Sequence, residues 1–305
     1  MTFLSLLAAL LLEQARPLRR GNAAHQWFNR YAVSLEERFN GGQYPHGVIA
    51  WVAAVAPVVV ATAAIHYALY SMTPVAAWAW NAVVLYLTMG FRQFGHHFTQ
   101  IQHALRAGDL TAARDKLGKW RGEAAPEFDA GDLARVGIEL GIVASHRHVF
   151  GVIVWFVALG PAGAMLYRAA AELAELWAGG KGESADFAGF TRRVFFWLDW
   201  VPVRLTAATF AVVGNFEDAV YCWREQSRRW SDRASGVLLA SAAGALGLQL
   251  GGALHQHGTL EHRPELGAGD ETDPDHLDVA ERLVWRSAAL WMFLIFLMTL
   301  AYALG

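Results

Sequence analysis

VFFWLDWVPVRLTAATFAVV, residues 194–213, is an apolar run that carries one acid, Asp199, one proline, Pro202, and one base, Arg204. About 20 helical residues cross the ~30 Å hydrocarbon core of a bilayer, so the run has the length of a membrane span. An ionisable side chain at that depth costs about 3 kcal/mol on insertion scales, and such residues face the protein interior, pair with one another, or mark function. The stretch reads as a working membrane helix, and the rest of the chain follows from it.

Composition agrees with this reading. Of 305 residues, 55% are hydrophobic and only 17% charged, and the mean hydropathy is positive, an unusual balance for a soluble domain of this length. Thirteen tryptophans fit a chain with bilayer interfaces. A single cysteine, Cys222, excludes an internal disulfide framework and fits a cytoplasm-facing protein, and a net charge of -2 gives no argument for nucleic acid.

Apolar stretches near the crossing length lie at residues 48–70, 75–95, 149–167, 194–215 and 287–304. The expected fold is therefore all-α, a polytopic membrane helix bundle of about five spans embedded in lipid. Residues 2–12 are too short to span and lack the flanks of a signal peptide, so they read as a retained, interfacial or partly inserted helix. Residues 234–254 are rich in Ala and Gly and read as a packed or re-entrant helix, because small residues favour helix contact over lipid contact.

Lys and Arg set the orientation. Residues 13–47 carry five, 92–148 carry eight and 216–286 carry seven, whereas 71–74 carry none and 168–193 carry four. The basic-rich segments are expected on the cytoplasmic side, with residues 13–47 as an amphipathic helix pair. The chain reads as a single membrane domain, 1–305, with residues 92–148 as a cytoplasmic helical hairpin subdomain inserted within it. In that block Gly108-Asp109 has the form of a helix stop followed by an N-cap, and residues 122–131 read as a loop.

Histidines concentrate around it: His96 and His97, then His103, then His146 and His148 flanking Arg147. The spacing of His96 and His103 keeps both on one helix face, which is compatible with a shared metal or proton site. Interfacial anchoring is the preferred reading, since no cysteine or carboxylate completes a zinc pattern, and no metal is expected. Residues 255–278 hold scattered His, Asp and Glu without apolar periodicity or calcium-loop spacing and read as a solvated linker. Phosphate-cradling loops, nucleophile elbows and zinc-protease motifs are absent from the sequence. Asp199 and Arg204 stand five positions apart, so a direct pair needs a distorted helix, which Pro202 could supply; otherwise both contact neighbouring helices, or serve as a cap and a snorkelling base.

Three passages resemble the CobD/CbiB superfamily of cobalamin-biosynthesis membrane proteins, and its AmpE-like branch above all. They are His103-Ala-Leu-Arg-Ala-Gly-Asp-Leu-Thr-Ala-Ala-Arg114, then Gly151-Val-Ile-Val-Trp-Phe with Leu159-Gly-Pro-Ala-Gly-Ala-Met-Leu-Tyr-Arg168, and Asp199-Trp-Val-Pro-Val-Arg-Leu-Thr206. Ala243-Gly-Ala-Leu-Gly-Leu-Gln-Leu-Gly-Gly252 is similar to a family ending. The resemblance makes Gly151, Pro161, Tyr167, Arg168, Trp200, Pro202 and Leu205 architectural. It implies, for the amide-forming members, an ATP-dependent ligase that joins adenosylcobyric acid to an aminopropanol or its phosphate, with Mg and ATP.

The chain departs from the family where that chemistry resides. His146–Gly151 stands for Glu-Asn-x-x-Asp-Gly, Ala171–Ala174 for Asn-Thr-Leu-Asp, Phe195 and Phe196 for paired aspartates, and Asp232–Gly236 for Ser-Pro-Asn-Ala-Gly. Loss of acids removes a means of holding metal and phosphate. The expectation from this is an AmpE-like inner-membrane sensor or modulator of the cell-wall and beta-lactam response, without catalysis or cofactor. Its polar site would comprise Asp199, Arg204, His146, Arg147 and His148, with His96 and His97 as further candidates, open to an anionic small molecule. The alternatives are the amide ligase and a non-catalytic scaffold that binds a cytoplasmic protein through residues 92–148.

Overall fold

A computed structural model of the chain describes residues 2–16, 23–41, 43–177, 184–256 and 259–304. It is an all-α, membrane-type bundle. Four helical segments are long and apolar enough to cross a membrane, Tyr44–Met72, Ala130–Leu176, Asp186–Val213 and His276–Leu304, and three shorter apolar helices accompany them. The chain divides into two compact units. The first comprises residues 1–91, 147–202 and 295–305, and the second residues 92–146 and 203–294.

In the first unit, α1 (Thr2–Ala15) and α2 (Ala23–Phe39) precede the long α3 (Tyr44–Met72) and α4 (Pro74–Thr88). Residues 2–12 are helical as expected. Of the pair expected over 13–47, α2 is the amphipathic helix, while residues 17–22 and 42 lie outside the described residues. Thr73 makes the turn between α3 and α4: its N–H closes on Leu69 O and its Oγ1 accepts from Ala76 N–H, so one residue caps both helices. The tyrosine O–H of Tyr31 donates to Ala53 O at 2.8 Å and holds α2 on α3. Ala32, Ala50 and Ala54 form a close-packed seam with Val55, Leu173, Trp177 and Phe187. The helix expected over 75–95 stops at Thr88, because Met89 leaves helical geometry and Gly90 N–H turns to His148 O.

The apolar stretch 149–167 does not make one straight crossing. It lies in α8 (Gly151–Leu176), which breaks at Gly160 (φ 66°, ψ −153°) and runs back along itself. In a straight helix, Arg147 and Glu175 would be separated by about 42 Å, at 1.5 Å per residue. They are hydrogen-bonded at 2.9 Å. Arg168 likewise reaches His148 at 2.7 Å. A Cβ on Gly151 would overlap the Tyr167 ring, so the outgoing and returning arms meet where a glycine leaves room. Hydropathy registers apolar length but not the backbone reversal at Gly160-Pro161. Next in the chain, α9 (Ser184–Val213) remains helical through Pro202, and the boundary between the units falls just after that proline.

The second unit gathers residues 92–146 with 203–294. Helices α5 (Phe91–Arg106) and α6 (Leu110–Arg121) form the hairpin read from the sequence, with Gly108 at φ 71° and Asp109 accepting from Ala112 N–H. Asp129 caps α7 (Ala130–Ser145) in the same way, and Asn215 and Asp232 cap α10 (Phe216–Gln226) and α11 (Arg233–Leu246). Residues 236–245 of α11 are buried throughout, as a packed helix requires, with Gly244 against the backbone of Asp218. Cys222 of α10 is fully buried, and burial with the nearby Asp218 carboxylate pushes its thiol up.

Residues 255–278 are not a solvated linker. The described residues among them belong to a folded loop in which β1 (Leu250–Gly251) pairs with β4 (Glu265–Leu266) and β2 (Leu254–Gln256) with β3 (Thr259–Glu261), all antiparallel. Arg263 reaches Glu139 Oε2 of α7 at 2.7 Å, and Gly251 N–H donates to the other oxygen at 2.7 Å. Gln226 exchanges two hydrogen bonds with the Gly267 backbone. Charged residues that looked solvated in the sequence therefore fasten the loop. Beyond it, α12 (His276–Leu304) closes the chain.

Replacing Gly160 by alanine should lower thermal stability in detergent by about 1–3 kcal/mol, the cost of holding an L-residue in a glycine-only backbone region. No atom lies within 4 Å of the added Cβ, so a loss of this size reports conformation rather than crowding. Cys222 should resist maleimide at neutral pH in the folded protein and react at once on unfolding, since the thiolate is the reactive form.

Candidate functional site

Between α7 and α8 the chain forms one π-helical stretch, His146–Phe150. Such widened turns occur often at functional sites because the extra residue re-aims side chains. Here Arg147 and His148 are presented to the returning arm of α8. Arg147 donates to Glu175 Oε1, and its guanidinium lies 5.9 Å from the centre of the Phe195 ring. Arg168 donates to Glu172 Oε1 and meets His148 Nδ1. His25 of α2 approaches the same Glu172 oxygen at 3.3 Å, and Asn29 Nδ2 meets His25 Nε2 at 3.2 Å. A connected polar path thus runs from Asn29 through His25, Glu172 and Arg168 to His148, wholly within the first unit.

Burial grades these contacts. The side chains of Glu172 and Arg168 are 8% and 19% exposed, whereas Glu175 is 54% exposed. In a low-dielectric setting the Glu172–Arg168 pair interacts strongly, and each partner depends on the other for compensation. The Arg147–Glu175 pair is partly open to solvent and worth about 1 kcal/mol or less. Next to this cluster, Tyr167 O–H donates to Asp199 Oδ1 at 2.8 Å, with both residues buried, and Trp155 Nε1–H donates to Leu198 O at 3.0 Å. These two bonds dock both arms of α8 on α9.

The candidates read from the sequence are distributed as follows. Arg147, His148 and Asp199 fall in the first unit, around the π-helical turn and the Tyr167 contact. His146 and Arg204 fall in the second unit, where His146 Nδ1 meets Thr206 Oγ1 at 3.0 Å in a buried setting. His97 stacks on Trp120 at 5.2 Å and His96 bonds Gln100, both within the second unit. Trp200 and Leu205 are exposed, while Gly151 and Pro161 are buried in α8.

Sequence reasoning missed Glu172, Glu175 and His25. Glu172 lies inside the very segment, Ala171–Ala174, read as stripped of acid, and Phe195, in place of an expected aspartate, still faces a cation through its ring. Arg168 and Tyr167, read as architectural, supply polar atoms to the cluster. The i, i+4 spacing of Arg168 and Glu172 was the available signal.

The donor set does not fit a Mg cage built from protein carboxylates. Glu172, Glu175 and Asp199 are each engaged by an arginine or a tyrosine, and among the described residues no three His, Cys, Asp or Glu side chains converge. Two guanidiniums and two imidazoles face two carboxylates, a set that suits oxyanion groups able to exchange with those carboxylates.

Membrane helices enclosing a buried polar cluster define the class, and comparison supplies the family. The CobD/Cbib protein family matches residues 6–284, and the chain belongs to it. It is 34% identical over 299 residues to the cobalamin biosynthesis protein CobD of Stutzerimonas stutzeri, covering 96% of each chain. It is 35% identical over 208 residues to the protein of the same name from Chromobacterium violaceum, covering 68% of this chain and 67% of that one. A third, from Mycobacterium tuberculosis, is 27% identical over 201 residues, covering 64% and 63%. No solved structure matches the chain. These relatives overturn the expected AmpE-like sensor or modulator: the proteins that match over most of the chain are named for cobalamin biosynthesis, not for regulation.

Glu172→Gln should destabilise the protein by about 3–5 kcal/mol in detergent unfolding, because it leaves the Arg168 guanidinium buried without its carboxylate. Glu175→Gln, at a half-exposed pair, should cost about 1 kcal/mol or less. Equal effects would contradict the graded burial of the two pairs.

Proposed function

We propose that the protein acts in cobalamin biosynthesis as an ATP-dependent ligase that forms an amide between a corrinoid carboxyl group and an amino alcohol or its phosphate. The observation that carries this reading is the match along 96% of both chains to a relative named for that pathway. The polar cluster supports it from the chemical side. Arg147, Arg168, His148 and His25 can orient carboxylate or phosphate oxygens by charge-assisted hydrogen bonds, with Glu172 and Glu175 holding the guanidiniums in place until such a group arrives. Buried Tyr167 and the Phe195 ring beside it wall one side of the cluster. Bound ATP with its metal would supply carboxyl activation. The protein residues act on the oxyanions of the substrates.

In this reading the protein is a multi-pass protein of the inner membrane with residues 13–47 and 92–148 on the cytoplasmic side, where nucleotide is available. The basic content of those segments supports that orientation.

Expression of the chain in a cobalamin auxotroph that lacks its own family ligase should restore growth on the corrinoid acid precursor. Arg168→Ala should abolish rescue, and Lys119→Ala, on the exposed face of α6, should leave it intact. Absence of rescue by the folded, membrane-inserted wild type would sink the proposal.

A further inference from the structure

Apart from the polar cluster, the first unit holds a cavity of about 450 Å³ where α3 turns into α4 and α8 reverses. Thr2, His66, Tyr70, Asn81, Val157 and Gly160 are among its walls. Asn81 is 9% exposed, and its side-chain oxygen is buried with no hydrogen-bond partner; Nδ1 of His66 is in the same state. A buried polar atom left unmatched costs free energy, and native structures keep few of them without a reason. Pro161, on the same wall, has no N–H and so cannot close the helical bond to the Val157 carbonyl. Irregular backbone in a membrane protein persists where it is buried in protein or lines a polar cavity, and the break at Gly160 lines this one.

The walls also say what charge the occupant has. Among the described residues, none that lines the cavity is Asp, Glu, Lys or Arg. An ammonium or a phosphate placed inside would leave water without meeting a counter-charge, whereas a hydroxyl needs only a donor and an acceptor. Asn81 offers an acceptor through its side-chain oxygen. The His66 imidazole, stacked on Tyr70 at 6.3 Å, offers its Nδ1 to either role. Tyr70 on the cavity wall and Tyr67 nearby on α3, both exposed, fit the aromatic belt of a membrane protein, the depth of lipid headgroups.

We propose that this cavity binds an uncharged hydroxyl-bearing group, supplied by the terminal glycerol of a lipid headgroup or by a free polyol. The inference is independent of the ligase reading and stands or falls separately. The full chain in phosphatidylcholine nanodiscs doped with equal amounts of phosphatidylglycerol and phosphatidic acid, both anionic, tests the lipid source by native mass spectrometry of retained lipid. Saturation-transfer NMR with glycerol on the detergent-solubilised chain tests the soluble source. Wild type should retain phosphatidylglycerol about tenfold over phosphatidic acid, or show glycerol transfer, and Asn81→Leu should remove that signal, as expected for loss of one buried hydrogen bond. His66→Phe, which keeps the aromatic stack, should weaken it and decides the matter if Asn81→Leu does not fold. Lys119→Ala should change nothing. Equal retention of the two lipids with no glycerol transfer, or a signal that survives both cavity substitutions, overturns the proposal.

Discussion

Gly160 holds a backbone conformation, φ 66° and ψ −153°, that is open in practice only to glycine, and the polar cluster of the first unit depends on it. Without the reversal, Arg168, Glu172 and Glu175 would continue away from the π-helical turn instead of returning beside Arg147 and His148. Pro161 makes the break definite, since it has no N–H with which to continue the helix and its ring fixes the start of the returning arm. The arms then bury Val152, Ile153, Phe156, Ala164, Tyr167 and Leu173. At about 1.5–3 kcal/mol for each large apolar side chain, that burial outweighs the strain at one glycine several times over.

Once the arms are paired, electrostatics governs what the cluster can hold. Two guanidiniums and two carboxylates nearly cancel, which allows the group to sit among apolar helices at all. His25 and His148 add ring nitrogens that can donate or accept hydrogen bonds. Replacement of expected acids by Phe195 and Phe196 does not empty the site of polar function. Phe195 lies under Arg147 and beside Tyr167, so an aromatic face occupies part of the place a carboxylate would have taken.

The class of the protein was legible in the sequence because apolar length and charge scarcity are local, additive signals. Helix punctuation was legible for the same reason: Gly108 and Asp109 do in the structure what their side chains dictate. The reversal at Gly160 was not, since an apolar run reads the same whether it crosses or folds back. Glu172 was overlooked because family comparison by motif asks whether a given acid is present at a given place, whereas the cluster asks only which side chains converge after folding. That error produced the expectation of a regulator, which the relatives correct. Residues 255–278 misled in the opposite direction: dense charge looked solvated, although Arg263 and its neighbours are consumed in tying the loop to α7.

Each unit contains a buried carboxylate held by an arginine, and the difference between them separates fastening from function. Glu139 accepts from Arg263 through both oxygens and from the Gly251 N–H as well, while Arg263 also donates to the carbonyls of Gly251 and Gly252 and lies over Trp230. Both partners are saturated by neighbours fixed in the same loop, so no ligand can enter without dismantling it. Glu172 is shared instead between Arg168 and a partly exposed His25, and Arg168 between Glu172 and His148. Two of those four groups are imidazoles, whose ring nitrogens can each donate or accept and so swap hydrogen bonds. A network with such exchangeable members can admit an oxyanion and close again behind it. Of the two ion pairs, then, only the one beneath the reversal at Gly160 has the physical character of a site.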